Sequence, residues 1–246
     1  MPFSLTAADV TDALEALADP DLAVGVARFF QTGPGQYGEG DVFIGLKMPV
    51  LRRVVKRFAA LPLTEVDLLL DSEIHEHRLA GLLILVAQFA RASKPATRDD
   101  PARTRLAEAY LTAVRRGRVN NWDLVDCSAP TLLGEYSVDR SRDVFVELAQ
   151  SPVLWERRVA MVGTLGLIMR GDGSTTLELA PLLLDDQQPL MHKATGWMLR
   201  EVGKRIDRNL LLAFLNEHAA QMPRTALSYA TEHLTPELRA AYRAAR

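Results

Sequence analysis

The chain has 246 residues, 48% of them hydrophobic and 24% charged, with a formal net charge of −2 at pH 7. That is the profile of an ordinary globular protein whose core needs no metal or disulfide staple, and its lone cysteine, Cys127, excludes an internal disulfide. No apolar run reaches the roughly 18 residues that a spanning helix needs, and the opening stretch 1–6 lacks a basic region followed by an apolar one, so a cytoplasmic protein without membrane association is expected.

Taken in chain order, the pattern is helical and the charge is unevenly spread. Residues 1–45 hold seven acidic side chains against Arg28 alone. The Gly-Pro-Gly-Gln-Tyr-Gly-Glu-Gly stretch at 33–40 reads as a flexible loop and matches neither a P-loop nor a dinucleotide fingerprint. Val54, Val55, Phe58 and Leu61 then recur at helical steps, in a stretch that also carries Lys47, Arg52, Arg53, Lys56 and Arg57 with no acid among them. Leu79, Leu82, Leu83, Val86 and Phe89 repeat the period. Just before them, His75 and His77 are two residues apart, which points them to different sides of a helix and makes no zinc pair. Further loops are expected near 92–101 and 170–175, and Arg115, Arg116 and Arg118 form a second basic knot. Segregated charge of this kind can present one basic face despite a near-neutral total, although solvated helix faces are the simpler reading of charge alone.

Prolines 20, 49, 62, 95, 152, 189, 223 and 236 predict helix breaks, many at the first helical position, where a missing N–H costs little. Five segments, beginning near Ile74, Trp122, Leu154, His192 and Met222, each open polar and continue apolar, at intervals of roughly 30 to 50 residues. The spacing predicts helix pairs stacked as one domain over 1–246, a curved superhelical stack of HEAT-like antiparallel pairs with a concave face.

Each of the three tryptophans has a charged residue one turn on: Asp126 after Trp122, Arg158 after Trp155, Arg200 after Trp197. Indoles that fill gaps between helices would explain any one pair, and three on consecutive segments suggest a shared surface. An acid such as Asp126 on an apolar helix is paired or functional, and Arg158, one segment later, is the natural salt-bridge partner. Cys127 adjoins Asp126, whose charge hinders thiolate formation, and reads as core.

Four stretches resemble the AlkD-like DNA alkylation-repair glycosylases: Phe43–Pro49 with Arg52 and Arg53, Asn121–Asp126, Trp155–Arg158, and Lys193–Glu201. They run in the family's order and, together, the resemblance covers most of the chain from about residue 20 to 235. It implies a HEAT-like superhelix holding double-stranded DNA in its cleft. It also implies a monofunctional glycosylase that excises N3- and N7-alkylated purines without deep base flipping, with no metal or cofactor; from the size of the helical stack, a monomer is expected. Residue by residue, Trp122 and Trp197 match the aromatics flanking the lesion's deoxyribose, Asp126 the catalytic carboxylate, and Arg158 an arginine at the backbone. Lys47, Lys193 and Arg200 fall in segments expected near phosphates. Phe29 stands where the family carries a helix-end tyrosine, and the 31–42 loop is longer than the family's. The competing readings are a non-catalytic DNA-binding repeat protein of the same fold and a helical scaffold for protein partners.

Overall fold

The computed structural model describes residues 5–245; residues 1–4, part of the stretch read above for a leader, and residue 246 lie outside the described residues. The chain is all-α, as expected: fourteen α-helices, no strand among the described residues, and one isolated backbone bridge between Val42 and Ile74. None of these helices is long and apolar enough to cross a membrane. Two compact units divide the chain at Ser128/Ala129.

The first unit contains α1 (Ala7–Glu15), α2 (Pro20–Phe29), α3 (Met48–Arg57), α4 (Leu63–Leu70), α5 (His75–Ala92), α6 (Asp100–Arg115) and most of α7 (Trp122–Ala129). Local chemistry sets the starts. Thr6 and Asp9 form a capping box on α1, and Asp19 and Asp99 cap α2 and α6, each with a proline in the first turn. At the centre lies α5, against which α1, α3, α4 and α6 pack. It is buried without interruption from His75 to Leu85. A helix apolar on every face has no solvent side, so its polar first turn, His75-Glu76-His77-Arg78, is carried into the core with it.

The second unit holds a π-helical turn at Pro130–Glu135, then α8 (Asp143–Ala149), α9 (Leu154–Ile168), α10 (Ser174–Leu182), α11 (Pro189–Arg205), α12 (Arg208–His218), α13 (Arg224–Ala230) and α14 (Pro236–Ala244). Pro130 lacks the N–H that would continue the α-helical ladder, and the backbone widens there into π geometry. α9 and α11 form the centre: α9 packs on the π turn, α8, α10 and α11, while α11 also takes α12 and α13. Every predicted proline break falls at or beside a helix start or inside a connection. The five polar-then-apolar segments open α5, α7, α9, α11 and α13, every second helix in chain order.

The contact between α9 and the π turn is made by backbone. A Cβ on Gly166 would lie 2.1 Å from the Pro130 carbonyl oxygen and 2.7 Å from the Glu135 nitrogen, and one on Gly134 would lie 2.1 Å from the Gly163 oxygen. Neither obstacle is a side chain that could swing aside. Gly166→Ala is therefore expected to cost about 3 kcal/mol, read as a lowered denaturation midpoint; an unchanged midpoint would show that the two elements separate freely.

Candidate functional site

Each unit carries part of the residue set singled out in the sequence: Lys47, Trp122 and Asp126 in the first, Arg158, Lys193, Trp197 and Arg200 in the second.

In the first unit, Trp122 opens α7 and Asp126 follows one turn later on the same helix; both are half-buried, while Leu124 and Val125 between them are fully buried. Phe30 covers one face of the Trp122 indole, with ring centroids 5.2 Å apart and planes 10° from parallel. The Phe29 ring meets it edge-on at 6.0 Å. Phe29 itself is 67% exposed, an unusual position for so large an apolar ring, and it sets an apolar aromatic edge beside the indole.

The start of α7 is held by a buried polar network that the sequence reading missed. The Asn121 amide nitrogen donates to Asp41 at 2.9 Å, and its side-chain oxygen accepts the Trp122 N–H at 2.9 Å. Asp123 accepts the Leu124 N–H at 2.8 Å and lies 2.8 Å from His75 Nε2. Asp41 lies 3.1 Å from His75 Nδ1 and also receives the Arg78 guanidinium. Burial alone would lower the His75 pKa, but its hydrogen bonds to Asp123 and Asp41 and their charges raise it to about 9. Burial alone would raise the Asp41 pKa, but bonds from His75 and Asn121 and the Arg78 charge hold it below the ordinary carboxylate range. The Cys127 thiol is pushed up by burial, then by the Asp123 and Asp126 charges, which agrees with an inert thiol, although the residue is half-buried rather than core.

The Phe43–Pro49 stretch is explained by one carboxylate. Glu76, 3% exposed, accepts the backbone N–H groups of Ile44, Gly45 and Leu46 at 3.1, 2.9 and 3.1 Å. Gly45 adopts φ +80°, and a Cβ there would lie 2.1 Å from the Asp19 carbonyl oxygen, so only glycine lets the strap cross α2. The strap delivers exposed Lys47 to the N-cap of α3, whose outer face presents Arg52, Arg53 and Lys56. No carboxylate of the described residues pairs with these four cations, and the Arg52 charge is felt at Cys127, next to Asp126. The second basic knot differs: Arg116 pairs with Asp67 and Asp71, and Arg118 with Asp71. Of the two knots, the α3 one has no acidic partner among the described residues.

In the second unit, Lys193, Trp197 and Arg200 lie on α11 at steps of four and three, which puts them along one side. Lys193 is exposed and Trp197 half-buried. Gly196 brings this helix against α13, since a Cβ there would lie 2.3 Å from the Ala226 carbonyl oxygen. Arg200 is pinned by Glu232 and by Glu201 at 3.3 Å, so its charge is largely balanced. Arg158, on α9, is 5% exposed and donates to the Leu190 carbonyl at 2.6 Å. Substituting it would disturb the start of α11 as well as any ligand contact, which makes Lys193 the cleaner probe of this unit.

Among solved structures, a predicted DNA alkylation repair enzyme from Enterococcus faecalis is similar, with a TM-score of 0.69 over 89% of this chain and 97% of that one. At 16% identity the likeness concerns the fold. Comparison with curated proteins gives no match. The family described as DNA alkylation repair enzyme matches residues 10–234, nearly the whole chain. The chain therefore belongs to the DNA alkylation repair enzyme family, with a role in the repair of alkylated DNA.

Proposed function

We propose that this protein is a monofunctional DNA glycosylase that hydrolyses the N-glycosidic bond of N3- and N7-alkylated purines in duplex DNA. The observation that carries the reading is α7. One helix, in a chain of the alkylation-repair family, presents an indole and a carboxylate one turn apart, neither buried, and the charge of Arg52, on a basic helix with no acidic partner among the described residues, is felt at the neighbouring Cys127.

An alkylated purine carries a formal positive charge and leaves as a neutral base. Breaking its bond to the anomeric carbon moves that charge onto the sugar. Asp126 stabilises the sugar cation and orients a water, whose oxygen bonds to the anomeric carbon while its proton passes to the carboxylate or to solvent. The Trp122 indole adds an attraction of about 1 kcal/mol to the developing cation. Trp197 takes the role of second aromatic, and Arg158, Lys193 and Arg200 that of backbone contacts, on the family resemblance; the balanced charge of Arg200 makes it the weakest of these. The DNA is bound without a deep base pocket, by a monomer in the cytoplasm. Retention of DNA binding without release of any methylated base by the wild type would favour the non-catalytic alternative.

The α3 face supplies a separate test. Removing a cation that neutralises one phosphate lowers the slope of log affinity against log salt by about 0.9. The double substitution Arg53→Ala with Lys56→Ala is expected to reduce that slope by about 2. Replacing Arg116 and Arg118, already held by Asp67 and Asp71, should leave it unchanged. Equal effects from both pairs would remove α3 from the DNA-binding surface.

A further inference from the structure

His75 opens α5 with its side chain only 2% exposed, and each ring nitrogen faces a carboxylate oxygen: Nδ1 that of Asp41 at 3.1 Å, Nε2 that of Asp123 at 2.8 Å. An ionised carboxylate accepts and cannot donate, so both nitrogens must carry protons; a neutral ring would set a lone pair against one of the two acids. The charge balance points to the same state. Arg78 pairs with Asp41, so two carboxylates meet one guanidinium and one imidazolium, which leaves the buried cluster neutral only if His75 is protonated. The other ionisable groups of this turn are engaged elsewhere, Glu76 by the amides of 44–46 and His77 by Ser72 and Glu15.

The imidazolium reaches α7 by two routes. One is hydrogen-bonded: directly to Asp123, and through Asp41 to Asn121, whose side chain holds the Trp122 N–H. The other is stacked: Phe43 lies on the His75 ring at 4.4 Å, Phe30 on Phe43 at 5.0 Å, and Trp122 on Phe30 at 5.2 Å. A single buried cation thus fixes both the backbone start of α7 and the plane of its indole.

We propose that His75 is a positioning residue, a doubly protonated imidazolium clamped between Asp41 and Asp123 that sets the orientation of Trp122 and of the α7 turn bearing Asp126. It rests on the glycosylase reading only for its catalytic consequence. The pH dependence follows from the raised pKa of about 9. The clamp's contribution to stability is complete below the unfolded value near 6.5 and declines as pH climbs from there to about 9, where the native ring gives up its proton.

Histidine-labelled protein followed by NMR, with His75→Gln to assign the signal, is expected to show this ring titrating near pH 9; a midpoint below 7 overturns the proposal. In a Trp155→Phe, Trp197→Phe background, quenching of Trp122 by acrylamide is expected to rise in His75→Gln. For base release, His75→Gln is expected to lower kcat about 10- to 100-fold, with DNA affinity within about twofold of wild type. Adding Asp123→Asn restores the balance, because the glutamine amide then donates to Asp41 while its oxygen accepts from the second amide. Rescue to within about fivefold of wild type is expected, and a double variant no better than the single one overturns the proposal. If wild type releases no base, the glycosylase reading fails, while the NMR and quenching results still decide the positioning role. Should His75→Gln not fold, the wild-type ring is assigned instead through its bonded correlations to the His75 backbone, and its titration decides.

Discussion

Asp126→Asn is expected to reduce release of 7-methylguanine from methylated duplex DNA by about 10² to 10³-fold while leaving DNA binding intact. The substitution keeps the shape of the side chain on α7, removes its charge and turns one acceptor oxygen into a donor NH2. In the proposed reaction the leaving base needs no proton, because it departs neutral, so the barrier lies in the cation left on the sugar. A neutral amide offers that cation a dipole where the carboxylate offered a full charge, in a site half-shielded from water, where the difference is large. In the proposed reading, binding draws chiefly on the cations of the α3 face rather than on this carboxylate. Chromatography of the released base and a binding titration on the same preparation separate the two. Unchanged release would remove Asp126 from the catalytic role; lost release with lost binding would recast it as structural.

The largest effect on stability is expected at Glu76. Its two oxygens satisfy three successive backbone N–H groups of the 44–46 strap, and the residue is all but closed to solvent. Glu76→Ala leaves those donors facing a void. Buried unpaired donors cost about 1–3 kcal/mol each, and part of that loss is recovered as the strap moves into water. A net destabilisation of about 4 kcal/mol is expected, a fall in melting temperature of roughly 10 °C. Glu76→Gln should lose less. Its remaining oxygen can still take the Gly45 and Leu46 N–H groups, while its amide opposes that of Ile44. Because the strap carries Lys47 and Phe43, the alanine variant should also weaken DNA binding at low salt. Equal melting temperatures for the alanine variant and wild type would show that the strap is held by other contacts.

The sequence by itself determined the helices and one half of the candidate site. Helical periodicity and proline breaks are local signals, read within one or two turns, and they placed α3, α5 and the openings of every second helix. The spacing of four between Trp122 and Asp126 is likewise local, so their common helix was legible without coordinates. A further signal was present and unread: the run from Leu79 to Leu85 is apolar on every side, which implies a central helix and a buried polar turn before it. Only the tertiary structure decided what that turn does. His75 meets Asp41 and Asp123 across 34 and 48 residues, Glu76 meets its strap across about 30, and Arg116 is neutralised by Asp67 across 49. Such pairings depend on which helices become neighbours, and a buried charge finds its partner in space rather than along the chain. For that reason the two basic knots looked alike in sequence, and the fold gave Arg116 and Arg118 acidic partners while the α3 cations have none among the described residues.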